Sequence, residues 1–216
     1  MRDFDSFVVI DWSGERVARP KGLAVAFADQ GQCAPSLLRP QQGWSRAGIL
    51  DWLLEHAKAG TNMLVGLDLS PGLPFVDRNA YFPQWVESPA DAKALWKAVD
   101  AVCEADEHLA ASSVVNHAEI QRHFRHQSGR ETICGDLFEP GRGRLRQCEI
   151  AQKSMGLAPS SCFNLVGAAQ VGKSSLTGMR VLNRLRGAIP VWPFDPLPPS
   201  GPVIVEIYTS LAARDA

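Results

Sequence analysis

The chain has 216 residues, a formal net charge of -1, and 45% hydrophobic against 21% charged residues. That length carries a single domain with room for an insertion, and so apolar a chain is excluded from being disordered throughout, because burial offsets its conformational entropy. The near-equal 22 basic and 23 acidic residues exclude a globally basic nucleic-acid coat, though not a local basic patch.

Phe7-Val8-Val9-Ile10 reads as a buried strand ending at Asp11-Trp12-Ser13-Gly14. Leu23 to Ala28 is a second strand, and Cys33 to Leu38 a third that Pro40 stops. Short Gly- or Pro-containing links join them, so the three form an antiparallel meander. The period then changes. Ile49, Leu50, Trp52, Leu53 and His56 recur at helical spacing between Ser45, an N-cap, and Gly60, a C-cap. Met63 to Asp68 follows as a fourth strand, apolar on both faces and therefore central and parallel.

From Ser70 to Pro89 the chain is rich in proline and aromatics and reads as an ordered loop, after which Ser88-Pro89-Ala90-Asp91 starts a helix running to about Glu107. Asn116 to Lys153 is polar and arginine-rich, and carries His117, His123 and His126 without the fixed spacing of a metal site. Gly167 to Arg186 is largely helical, with Gly187 as its stop. Pro190 to Pro202 is proline-rich, and Val203 to Tyr208 is the last strand. The tryptophans read as core by spacing, except Trp12 beside Asp11. The expected fold is one α/β domain over residues 1–216. It has a mixed five-stranded sheet of order 3-2-1-4-5, flanking helices, and an insertion at about 70–160.

The longest apolar run, Leu23 to Ala28, falls far short of the ~20 residues of a membrane span. Asp3 and Asp5 precede the first apolar run, unlike a secretory signal. Cys33, Cys103, Cys134, Cys148 and Cys162 are odd in number and contain no C-x-x-C pair. A reducing cytoplasm is the expected location, and no membrane partner is expected.

Asp11 and Asp68 close strands one and four, and Glu206 lies near the end of the last strand. An acid placed just after buried apolar residues must be paired, hydrogen-bonded or metal-bound. Taken singly, each reads as a strand or turn cap. Strand order 3-2-1-4-5 brings all three to one edge, where Mg²⁺ or Mn²⁺ is the natural counter-charge and supports phosphodiester hydrolysis.

Ile10 to Gly14, Gly66-Leu67-Asp68-Leu69-Ser70-Pro71-Gly72-Leu73-Pro74, Gln170-Val171-Gly172, Val191-Trp192-Pro193-Phe194-Asp195 and Val205 to Tyr208 occur in this order along most of the chain. Together they resemble a family described as predicted RNase H-like nucleases. The resemblance implies an RNase H-like fold, with Asp11 and Asp68 in the positions of the first two metal ligands and Glu206 as a third. RNase H-like enzymes often place a last acid on a C-terminal helix. Here Asp215 is the sole acid of the tail from Leu211 to Ala216.

Gly167 to Ser174 also satisfies the phosphate-loop pattern G-x-x-x-x-G-K-[ST], with Cys162 to Val166 as its expected strand. Only one clear strand follows it, against the several βα units such a domain requires. Three readings follow. The first is a metal-dependent nuclease acting on nucleic acid, with Asp11, Asp68 and Glu206 as metal ligands and Lys173, Ser174 and Ser13 contacting a substrate phosphate. The second is an ATP- or GTP-binding protein using Gly167 to Ser174 or the Asp11 to Gly14 turn. The third is a non-catalytic binding module whose acids are structural.

Overall fold

A computed structural model describes residues 2–32, 34–167 and 170–209. Along the chain these form β1 (Ser6–Asp11), β2 (Ala24–Asp29), β3 (Ser36–Leu38), α1 (Arg46–Ala59), β4 (Met63–Asp68), α2 (Ala92–Val102), β5 (Arg125–Ser128), β6 (Glu131–Cys134), α3 (Gln147–Ser154), α4 (Val171–Arg184), β7 (Val191–Trp192) and β8 (Val203–Glu206). Short 3₁₀ turns lie between α2 and β5. The chain divides into two compact units. One comprises Met1–Ser13, Val17–Leu69 and Val181–Ala216, the other Gly14–Arg16 and Ser70–Arg180.

The first unit is built on a mixed six-stranded sheet of order β3-β2-β1-β4-β8-β7. β1 to β3 form the expected antiparallel meander, whereas β1, β4, β8 and β7 run parallel to one another. The sheet has one strand more than expected. Val191–Trp192, inside the proline-rich segment, pairs with Ile204 and Val205 of β8. The turn after it is tied back through Val191 N–H donating to Asp195 Oδ2 at 3.0 Å.

Strict alternation in β1 buries Ser6, Val8 and Ile10 and turns Phe7, Val9 and Asp11 to the opposite face. Val25, Val65, Leu67 and Ile204 belong with the buried set. α1 buries Ile49 and Leu53. Its ends match the sequence reading. Ser45 Oγ accepts from Gly48 N at 3.0 Å, and Gly60 ends the helix at φ +66°, a left-handed geometry that glycine adopts without strain.

The second unit holds α2, the β5–β6 hairpin, α3 and most of α4. α2 starts later than expected, at Ala92, because Asp91 is its N-cap and accepts from Ala94 N at 2.8 Å. The core is aromatic: Phe82, Phe124 and Phe163 are fully or almost fully buried, with ring centroids 5.0–6.5 Å apart. Two buried arginines tie loops to it. Arg144 grips Asp77 and the carbonyls of Pro74, Ala80 and Tyr81. Arg180 donates to Asp100 Oδ1 at 2.9 Å and to the carbonyls of Asp106 and Ala110. Within the described residues, no helix is long and apolar enough to cross a membrane.

Candidate functional site

β1 and β4 pair in parallel with Asp11 directly opposite Asp68. Register partners point to the same face, and adjacent strands lie ~4.8 Å apart, so the two carboxylates are neighbours at the C-terminal ends of the central strands. Asp11 is exposed and Asp68 half-buried, with Leu67 and Leu69 buried on either side of it in sequence. The Asp68 carboxyl is held above its ordinary pKa. Partial burial is the leading cause, followed by the charges of Asp11 and then Glu206. Burial and the two neighbouring acids thus both disfavour the charged form of Asp68.

Glu206 lies near enough for its charge to act on Asp68, but not in register with it. It stands opposite Leu67 rather than Asp68, and period-two alternation turns its side chain to the Leu67 face of the sheet. Its neighbour Ile207 takes the Asp68 face, with Cγ2 lying 2.7 Å from where a Gly66 Cβ would stand. Glu206 therefore acts on Asp68 as a nearby charge, not as a register partner. Among the described residues, no group of three or more His, Cys, Asp or Glu side chains is arranged to hold a metal ion. The carboxylates in register are the pair Asp11 and Asp68. Asp215 lies outside the described residues.

The turn after Asp11 is held from α1. Arg46, the first residue of that helix, is buried, and its Nε and Nη2 donate to the Ser13 carbonyl at 3.2 and 2.9 Å. Ser13 itself is half-buried. Sequence reasoning passed over Arg46. Its signal was an arginine at the first position of a helix, where exposure is the norm.

Lys173 and Ser174 belong to the second unit, in the first turn of α4, where Lys173 is exposed and Ser174 half-buried. The residues before them do not form the strand of a phosphate loop. Cys162 to Gly167 is turn and bend, with a single bridge from Asn164 to Arg125. The glycines there serve close packing. A Cβ on Gly172 would stand 2.2 Å from the Cys162 carbonyl oxygen, and one on Gly14 would stand 2.5 Å from the Lys173 carbonyl carbon. Ala168 and Ala169 lie outside the described residues.

His117 and His123 pack against aromatic rings. His117 lies on Trp85 at 4.9 Å between centroids. His123 is buried between Phe82 and Phe163, and burial pulls its pKa down to about 4. Two tryptophans exchange their expected places: Trp12 is buried, whereas Trp192 is half exposed. Burial also pushes the Cys103 and Cys162 thiols up to about 12, which leaves them protonated and unreactive at neutral pH. No protein-family model, curated protein or solved structure matches this chain.

Proposed function

We propose that this chain is a divalent-cation-dependent phosphodiester hydrolase with an RNase H-like core, acting on nucleic acid at the C-terminal ends of β1 and β4. One observation carries the reading: Asp11 and Asp68 stand side by side, in register, on adjacent parallel strands, with Asp68 partly desolvated. The antiparallel meander leading into parallel β4 and β8, with the first two acids ending β1 and β4, supports the RNase H-like core.

The donor set fits Mg²⁺ or Mn²⁺. Mg²⁺ is commonly held by one or two carboxylates, with waters and substrate phosphate oxygens completing its shell. Bound there, the ion supplies polarisation of a phosphodiester and a lowered pKa for water. Asp11 and Asp68 provide the protein oxygens. Asp68 retains its proton to higher pH than an ordinary aspartate, so cation affinity rises as pH rises through its elevated value. Glu206 adds negative charge from the other face. Arg46 is a positioning residue: by holding the Ser13 carbonyl it fixes the turn that leads out of Asp11.

The test is hydrolysis of single-stranded, duplex and hybrid nucleic acids with Mn²⁺, comparing wild type with Asp11→Asn and Asp68→Asn. Each substitution is expected to bring turnover to background while leaving the fold intact by circular dichroism. Turnover equal to wild type in Asp11→Asn removes the proposed role of the pair.

A further inference from the structure

One rung of the sheet runs unbroken across all six strands: Leu37, Ala26, Val9, Gly66, Val205 and Trp192. Register partners share a face, and Asp11 and Asp68 stand two residues beyond Val9 and Gly66 on the same face. Trp192 therefore looks out from the surface that carries the acid pair. It sits two strands from Asp68 and two residues back, a Cα separation of about 12 Å from strand spacing and rise.

Tryptophan is among the residues most buried on average, yet Trp192 is 50% exposed and Phe194, two residues on, is 39% exposed. The turn presenting them is held at both ends, because Asp195 N donates to the Val191 carbonyl at 2.9 Å and Asp195 Oδ2 accepts from Val191 N. Along the rung between Trp192 and Gly66 the intervening residue is the apolar Val205. Gly66 has no side chain, and Ile207 lies over it.

From this placement we infer that Trp192 is a base-stacking platform and that the substrate is single-stranded nucleic acid. The inference rests on the hydrolase reading of the acid pair and names its substrate class. Asp11 and Asp68 would hold a cation that attracts an anionic phosphate, while the surface a dozen ångströms away offers a planar aromatic face. A chain that alternates phosphates with exposed planar bases satisfies both together, and aromatic stacking is the sequence-tolerant way to hold it. A duplex keeps its base faces in the stack and cannot use Trp192 in this way.

The experiment measures binding and turnover separately. Binding of a labelled oligothymidylate is followed by anisotropy in the Asp11→Asn background, with and without Trp192→Ala or Trp192→Phe. Trp192→Ala is expected to weaken binding about tenfold or more, with Trp192→Phe restoring most of it. In the otherwise wild-type chain with Mn²⁺, Trp192→Ala is expected to raise KM for the oligonucleotide at unchanged kcat. Oligonucleotide binding unaltered by Trp192→Ala overturns the inference, and does so even where Asp11→Asn abolishes turnover and upholds the hydrolase reading. Trp192-dependent binding with turnover insensitive to Asp11→Asn overturns the hydrolase reading instead.

Discussion

Replacing Arg144 by methionine removes the guanidinium that ties down the proline-rich loop after β4 while keeping much of the stem's volume. Its side chain is 3% exposed and makes a two-pronged pair with Asp77, Nε to Oδ2 and Nη2 to Oδ1, both at 2.8 Å. It also donates to the carbonyls of Tyr81 at 2.8 Å, Pro74 at 2.9 Å and Ala80 at 3.0 Å, and its centre lies 5.4 Å over the Phe163 ring. Adding five bonds at face value overshoots, because each replaces a bond to water in the unfolded chain. Truncating one partner of a buried pair costs about 3–5 kcal/mol. Asp77 keeps 27% exposure and rehydrates, which places the loss near the lower figure, about 3 kcal/mol. Against a total stability of about 5–15 kcal/mol that is a large share.

Urea unfolding at pH 7, followed by circular dichroism, measures the loss, and a cycle with Asp77→Asn isolates the pair. Hydrogen exchange should quicken first between residues 74 and 82. The Arg144 hydrogen bonds are the leading cause holding the Asp77 carboxyl below its ordinary pKa. Its contribution is therefore complete above the unfolded value of ~3.9 and is lost as pH falls through the lower folded value. Asp77→Asn should flatten that acid limb. A loss under about 1 kcal/mol in Arg144→Met, or a coupling under about 0.5 kcal/mol, refutes the reasoning.

Three further outcomes are expected. Asp68→Asn should be more stable than wild type at pH 7: an elevated folded pKa means stability is complete below ~3.9 and lost as pH rises through the folded value, so the gain in urea midpoint should vanish in acid. Gly172→Ala should cost about 1–3 kcal/mol in urea unfolding, because its Cβ meets the Cys162 backbone oxygen; Gly66→Ala, whose nearest neighbours are Ile207 side-chain atoms, should cost less. Wild type should lose stability between pH ~6.5 and about 4, because the unfolded chain protonates His123 first. His123→Phe should remove that slope in urea midpoints measured at pH 7 and pH 5.

The apolar runs of β1, β2, β4 and β8 were legible because each is long enough to declare a buried strand, and Ser45 and Gly60 announced the ends of α1 by their local chemistry. β7 was not legible, since a strand of two residues has no period and lies among prolines. The β5–β6 hairpin was hidden for a related reason. β6 is exposed throughout and shows no apolar alternation. Asp11 and Asp68 were found from their strand-end positions, but the face taken by Glu206 depends on which residue of β4 stands opposite it, and pairing across that distance leaves no trace in the β8 sequence. The partners of Arg144 are hidden in the same way: Asp77 lies 67 positions away.

The alignment of β1 on β4 has a consequence for refolding. A slip of one position would send Asp11 to the opposite side of the sheet from Asp68, since successive residues alternate. Relieved of that neighbour, Asp68 would titrate closer to an ordinary aspartate. Its carboxyl carbon resonance, followed against pH, thus reports on the part of the shift that correct threading supplies.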